Sequence, residues 1–429
     1  MIVNGFKSIH PKETMTFRKQ IRRTSWPLSL IPTMMPCFGW RVEGFMLGAN
    51  RSFQWKLLVE AEKRGDQTLA AIERVFCLSD LHTDHMINLD WLEAKCALDS
   101  APGPKDLVIV PGDISHDLDR FRETMNIIQG TGCQVFFVPG NHEAWLSHPE
   151  PEASSLEKLD LVYETCRSMG VQVDNILLGT FNSHPLWVVP LQSWYDGTLS
   201  IEGCDDLCLD FKYWPWTDFQ RCEWTHFVSE PMDAPNARIP IGLSEHFHKI
   251  NEKHLNEVRA SLSKNPTLGL ITASHFLPNQ RCLPDWKDPD AISFQRDGWF
   301  DHGAPGTSSK FAKVAGSNGL DAQLRSLTPE SGKHIHIFGH SHRPKDFVYK
   351  GVRYVHNPLG KKSERDMYMV SPNVDFQLLW DTRLGEISGI QTMRLWEEQG
   401  GGLEGLKQRQ NMNERTRPRK RPSNATRLL

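Results

Sequence analysis

The sequence predicts an α/β protein whose parallel strands deliver polar residues to one sheet edge. Three observations predict it. Short runs rich in Val, Ile and Phe, at Arg74–Ser79, Asp106–Pro111 and Val135–Val138, have the length and composition of buried strands. They recur about every 30 residues with helical segments between them, as βαβ crossovers do, and such crossovers set successive strand ends side by side. Each run then stops in groups that bind metals or move protons: Asp80-Leu81-His82, Gly112-Asp113 and Gly140-Asn141-His142-Glu143. Open α/β sheets hold their ligands at that carboxyl edge.

Composition sets the outer bounds. The 429 residues, 39% of them hydrophobic, suffice for one large domain or two ordinary ones. A formal net charge of −3 argues against nucleic acid as a partner of the whole molecule. Nine cysteines, an odd number, point to a reducing compartment rather than a disulfide framework. No uncharged apolar run is long enough for a transmembrane helix, so no membrane partner is expected. Residues 1–70 are expected to be a basic, poorly ordered extension. Within residues 1–43, Lys7, Lys12, Arg18, Lys19, Arg22, Arg23 and Arg41 stand against Glu13 and Glu43. Such a leader reads as an organellar transit peptide, as a secretory signal from Met15 interrupted by Pro27, Pro32 and Pro36, or as a disordered segment ahead of the true start. The localisation expected is intracellular, cytoplasmic or organellar. The folded domain is expected over 71–395. A basic disordered tail follows over 396–429, its Arg415–Pro422 cluster being a nuclear address, an anion-binding tail or plain solvated chain.

Within the domain, Asp80 and His82 stand in the i, i+2 relation that turns two side chains the same way in an extended segment. After a helix near Leu89–Leu98, the second strand ends at Gly112, where a sharp backbone turn is available, and Asp113 then sits at the tip. Asp113 equally reads as the cap of a helix starting near Leu118. Ser154–Gly170 is an amphipathic helix with Leu156, Leu159, Tyr163, Cys166 and Met169 on one face. Leu186–Val189 is a strand leading to Trp194 and Tyr195. Residues 197–240 are irregular and read as a cap-like insertion over the site. Its Cys204, Cys208 and Cys222 match no common zinc spacing. Trp194, Tyr195, Trp214 and Trp216 either stack on a substrate base or pack in the core.

Ser244–Lys264 is a helix that places His246, His248 and His254 at the surface. Two further strands return to the edge: Leu268–Ser274 ends in His275, and His334–Phe338 ends in Gly339-His340-Ser341-His342. His334 and His336 follow the strand pleat. A hairpin turns at Lys350-Gly351, and Val374–Trp380 is the last core strand.

The tips together offer Asp80, His82, Asp113, Asn141, His275, His340 and His342, more donors than one ion needs. They suit two, with Asp113 shared, and nitrogen and oxygen ligands without thiolate fit Mn, Fe or Zn. Two cations roughly 3.5–4 Å apart generate hydroxide at neutral pH and clamp a phosphoryl group for in-line attack.

Asp80-x-His82, Gly112-Asp113, Gly140-Asn141-His142-Glu143, His275 and Gly339-His340-x-His342, in this order over residues 74–380, resemble the five motif blocks of the calcineurin-like metallophosphoesterases. The wording around them is most similar to a plant and algal branch. The resemblance implies a sandwich of two mixed β-sheets flanked by helices, in four layers. It implies a first metal on Asp80, His82, Asp113 and His342, and a second on Asp113, Asn141, His275 and His340. A bridging hydroxide would be the nucleophile, with no phosphoenzyme. His142 would face the phosphate, protonating the leaving oxygen or stabilising the developing charge, and Glu143 would orient its ring. Asn141, His142, Trp194 and Tyr195 are the expected substrate contacts.

Two departures narrow the activity that the resemblance implies. Ile114-Ser115-His116 replaces the Asp-Arg-Gly block of protein phosphatases, and Pro139 replaces the Arg that precedes their Gly-Asn-His-Glu. His116 occupies the position of the metal-binding Tyr of purple acid phosphatases, so their coloured centre is not expected. The function expected is metal-dependent hydrolysis of a small-molecule or nucleotide phosphoester, monoester or diester. The alternatives are a catalytically silent metal-binding scaffold and a nuclease.

Overall fold

The computed structural model describes residues 72–388, apart from 148–153, 180–183, 201–215, 226, 228, 232–237, 241, 284–299, 302–303, 306, 367–369 and 372. The basic leader, the basic tail, Cys204, Cys208 and Trp214 lie outside the described residues.

Strand β1 (Arg74–Cys77) leads through α1 (Met86–Cys96) to β2 (Asp106–Pro111), and α2 (Leu118–Gln129) leads on to β3 (Gln134–Val138). The one-turn α3 (Asn141–Ala144) and then α4 (Ser155–Ser168) precede β4 (Ile176–Leu178) and β5 (Leu186–Pro190). Next come α5 (Asp218–Arg221), the small pair β6 (Ser229–Pro231) and β7 (Arg238–Pro240), and the long α6 (Leu243–Lys264). Strand β8 (Gly269–Ala273), the pair β9 (Phe300–Asp301) and β10 (Ala304–Pro305), α7 (Thr307–Ala315), α8 (Asn318–Arg325) and β11 (His334–Ile337) follow. The hairpin β12 (Lys345–Tyr349) and β13 (Val352–His356), then α9 (Lys362–Asp366), β14 (Gln377–Asp381) and β15 (Gly385–Glu386) complete the chain order.

These strands form two mixed sheets, β15-β14-β1-β2-β3 and β12-β13-β11-β8-β5-β4. In the first, β1, β2 and β3 are parallel, with Cys77 opposite Ile109 and Pro111 opposite Val138, so their carboxyl ends lie in line. In the second, β5, β8, β11 and β13 are parallel, which lines up the ends that carry His275 and Gly339.

The strand pleat explains the layering, because successive residues point to opposite faces. Val75, Cys77, Leu107, Ile109, Phe136 and Val138 of the first sheet pack against Leu186, Val188, Ile271, Ala273, Ile335 and Ile337 of the second. Their neighbours Phe76, Val108, Val110, Val135 and Phe137 face Leu92 of α1, Phe121 and Met125 of α2, and Val162 and Cys166 of α4. On the far side, Trp187, Val189 and Leu270 pack under α6, α7 and α8. Helix, sheet, sheet, helix is the four-layer arrangement expected.

Boundaries shifted where local signals were ambiguous. Strand β1 stops at Cys77 rather than Ser79, because Asp80 turns into the left-handed region at φ 51°. Helix α1 starts at Met86, three residues before the expected Leu89, since Met86 and Ile87 are exposed and fall outside the apolar stripe. In α4 the buried face is Leu159, Val162 and Cys166, with Leu156, Tyr163 and Met169 on its flank. His254 is exposed as expected, but His246 and His248 are half-buried. Cys77, Cys96, Cys133, Cys166, Cys222 and Cys282 are free thiols. Among the described residues, no helix is long and apolar enough to cross a membrane.

Candidate metal centre

All seven predicted ligands meet where the carboxyl ends of the two sheets abut. Five of them, Asp80, His82, Asp113, His340 and His342, have φ between 43° and 72°, and Lys350 is the one other described non-glycine residue with positive φ. Left-handed backbone costs a non-glycine residue free energy and persists where the surroundings impose it, as at binding sites. The Asp-x-His and His-x-His pairs therefore converge through paired left-handed turns and not through the extended pleat that the sequence suggested. The turns are held across the edge. Asp80 N donates to Gly112 O at 3.2 Å and His82 N to Asp113 O at 2.9 Å. Gly112, at φ 80°, leaves no room for a side chain, since a Cβ there would lie 2.6 Å from His275 Nδ1.

Two groups of donor atoms result. Asp80, His82, Asp113 and His342 form one, and Asp113, His275 and His340 the other. In the second group, His275 Nε2 lies 3.0 Å from Asn141 Oδ1, 3.2 Å from His340 Nδ1 and 3.3 Å from Asp113 Oδ1. His340 Nδ1 lies 3.1 Å from the same Asn141 oxygen. In the first, His82 Nε2 and His342 Nε2 are 2.7 Å apart, with Asp80 Oδ1 3.6 Å from His342 and Asp113 Oδ2 3.9 Å from His82. Asp113 thus turns one oxygen to each group.

Hydrogen bonds on the outer nitrogens define the inner ones. His275 Nδ1 faces the carbonyl of Pro111 at 2.9 Å, and His340 Nε2 faces that of Val314 at 3.0 Å. A carbonyl only accepts, so each ring donates there and turns a bare lone pair inward. Four acceptor atoms therefore meet in the second group at 3.0–3.3 Å, and neither imidazole places a proton among them. A cation would satisfy such a cluster. Ligands at roughly 2.0–2.2 Å from a cation sit about 3.0–3.5 Å from one another, so the spacing fits. In the first group His342 Nδ1 reaches Glu364 at 2.9 Å, the outer-carboxylate arrangement that orients metal-binding imidazoles.

Electrostatics agree. Burial holds His275 down at about 4 and keeps His82 and His340 well below the usual histidine range, so these rings are neutral at pH 7, the form in which an imidazole can ligate a cation. Burial would lift Asp80, but the His356 hydrogen bond and the nearby imidazoles outweigh it and hold the carboxyl well below its usual value. Burial, then the charges of Glu143 and Asp80, push Asp113 well above the carboxylate range. A shared carboxylate crowded in this way is a place short of positive charge.

A model of the calcineurin-like phosphoesterase family matches residues 73–228. Over this stretch the chain is similar to that family. The match covers the Asp80–Glu143 motifs, and the fold brings His275, His340 and His342 to them from beyond it. Among curated proteins, the chain is similar to acyl-carrier-protein phosphodiesterase PptH of Mycobacterium tuberculosis, 28% identical over 144 residues. That stretch spans 33% of this chain and 43% of the relative's length. Among solved structures, the phosphopantetheinyl hydrolase PptH of the same organism shares the fold, at TM-score 0.50 and 21% identity, covering 72% of this chain and 96% of that one.

Several expectations for this site need correction. Glu143 does not orient His142. Its carboxylate accepts the backbone N–H groups of Gly140, Asp113, Ile114 and Ser115 at 2.7–3.2 Å, while His142 Nδ1 has no hydrogen-bond partner. His142 is instead stacked on Trp145, with centroids 3.7 Å apart and Nε2 turned to within 3.8 Å of Asp113 Oδ2. Trp194 and Tyr195 are 2% and 4% exposed and pack with Trp224, Phe219 and Phe276, so they are core residues rather than substrate contacts. Asp113 does not cap α2; Asp117 does, accepting from Arg120 N at 2.7 Å. His116 lies outside both ligand groups, 3.3 Å from Asp84 and grouped with it beside His142.

Sequence reasoning missed the supporting carboxylates and imidazole. His356 Nε2 meets Asp80 Oδ2 at 2.8 Å, Glu364 holds His342, and Asp218 holds Asn141. Glu364 stands in a charge run that reads as solvated surface, and Asp218 in the irregular insertion. Neither carries a spacing signal.

Proposed function

We propose that this chain hydrolyses phosphate esters at a dinuclear metal centre. One cation would lie among Asp80, His82, Asp113 and His342, the other among Asp113, Asn141, His275 and His340. The observation that carries this reading is the inward-facing set of acceptors, divided between two groups by the two oxygens of Asp113. When bound, the cations supply an activated water for in-line attack on phosphorus and neutralise charge on the phosphoryl oxygens.

The chain's own residues bind, orient and donate. Asp113 draws the two groups together, and its Oδ1 also accepts His142 N at 3.1 Å. Burial and the neighbouring His82 and His342 hold His142 well below the usual range, which makes its ring neutral. A neutral ring favours the second of its two expected roles, an N–H donor to charge developing on the phosphoryl group. The stacking on Trp145 sets the plane of that donor. The mycobacterial relative is a phosphodiesterase, which supports a diester as the first substrate class to try.

The test is hydrolysis of p-nitrophenyl phosphate and bis-p-nitrophenyl phosphate as Mn²⁺ is titrated in. Metal-dependent turnover is expected, and Asp113→Asn should abolish it and lower the metal content. A fully active Asp113→Asn would overturn the shared-ligand assignment. Wild-type protein that binds Mn²⁺ and cleaves neither these esters nor a panel of nucleotides would overturn hydrolysis and favour the scaffold.

A further inference from the structure

Asp218 is a buried carboxylate, 2% exposed, on the short helix α5 of the insertion. Neither of the two ligand groups includes it. Its Oδ1 accepts from Asn141 Nδ2 at 2.9 Å and from Trp145 Nε1 at 2.7 Å, and its Oδ2 accepts from Trp216 Nε1 at 2.8 Å. The segment that carries it is fastened to the same place: Leu146 N donates to Arg221 O at 2.8 Å, and Ser155 N to Glu223 O at 2.8 Å. The Arg221 guanidinium lies over the Trp145 ring at 5.3 Å.

The geometry points to Asp218 as the positioning residue that couples the second metal position to the phosphate-facing His142. The inference rests on the dinuclear reading above and extends it to a residue in the insertion. Asn141 can present either its oxygen or its NH₂ group to His275 and His340, and only the oxygen can ligate a cation. Both Asp218 oxygens face N–H groups and accept from them, so Asp218 takes the Asn141 NH₂ and turns the Asn141 Oδ1 inward. The same Asp218 oxygen takes the indole N–H of Trp145, whose ring is the surface on which His142 is stacked. One carboxylate thereby sets both a ligand's direction and the plane of the phosphate-facing ring. Outer residues of this kind typically change metal affinity or activity by about 10- to 100-fold when removed.

The experiment uses the full chain and isothermal titration with Mn²⁺ alone, followed by steady-state kinetics on bis-p-nitrophenyl phosphate. In Asp218→Asn an amide NH₂ would face at least one of three N–H donors, and Asn141 would lose its fixed direction. One of two Mn²⁺ equivalents is expected to weaken about 10- to 100-fold, the other to stay unchanged, and kcat to fall even at saturating Mn²⁺. Asn141→Ala in the Asp218→Asn background should weaken that equivalent little further, because both changes remove the same contact. Trp145→Ala should lower kcat with both Mn²⁺ affinities intact.

Wild-type affinities and kcat in Asp218→Asn, or fully additive losses with Asn141→Ala, would overturn the coupling. If Asp218→Asn does not fold, Trp145→Phe decides: the ring remains but its tether to Asp218 is gone. A several-fold lower kcat at unchanged Mn²⁺ binding would support the inference, and wild-type kinetics would overturn it. Wild-type protein that binds two Mn²⁺ without cleaving esters would sink the hydrolytic reading alone, since the Mn²⁺ titrations of Asp218→Asn still stand. Wild-type protein that binds fewer than two would overturn both.

Discussion

Removal of the Glu143 carboxylate separates two roles that its place after His142 leaves open. The sequence suggested that it orients the imidazole, whereas the structure shows it holding the loops that carry Asp113 and Asn141. Oε2 accepts from Gly140 N at 2.7 Å and Asp113 N at 3.0 Å, and Oε1 from Ile114 N at 2.7 Å and Ser115 N at 3.2 Å. All four bonds are buried. Leaving a buried amide without an acceptor costs about 1–3 kcal/mol, so four at about 1–2 kcal/mol each come to roughly 4–8 kcal/mol. Water entering the vacated space would return part of this, which makes about 4 kcal/mol the expected loss for Glu143→Ala. Domains are stable by only about 5–15 kcal/mol, so the variant should unfold at much lower urea. Glu143→Gln keeps one acceptor oxygen and turns an NH₂ onto two amides, for an expected loss of about 2–4 kcal/mol. The assay is urea unfolding of the metal-free proteins followed by circular dichroism, with kcat measured beside it. A Glu143→Ala protein within about 1 kcal/mol of wild type but with a large fall in kcat would refute this reasoning and restore the orienting role.

Two further expectations follow from close contacts at the site. Gly112→Ala combines a strained φ of 80° with a Cβ 2.5 Å from Gly140 N and 2.6 Å from His275 Nδ1. It should displace His275 and abolish binding of one Mn²⁺ equivalent by titration; intact binding of two would show that the loop yields. Glu364→Gln removes the charge that faces His342 Nδ1 at 2.9 Å and should weaken the other Mn²⁺ equivalent about 10-fold or more, while the His275 position keeps its affinity.

The elements that local chemistry dictates were legible before folding was considered. The runs Asp106–Pro111 and Val135–Val138 are apolar, their spacing demands crossovers, and each stops at a polar tip. All seven proposed ligands were legible because each follows a strand end, and parallel strands bring such ends together. The supporting shell was not legible. Asp218, His356 and Glu364 lie far along the chain from Asn141, Asp80 and His342, and nothing in their own neighbourhoods distinguishes them from surface charge or loop. Trp194 and Tyr195 were ambiguous because an aromatic in a loop looks the same whether it faces a ligand or the core, and only packing against Phe276 and Trp224 decides. Glu143 shows the limit most plainly. Its identity and place were visible, but which of its neighbours would offer N–H groups depended on two loops meeting across the sheet edge, and that is a property of the folded backbone alone.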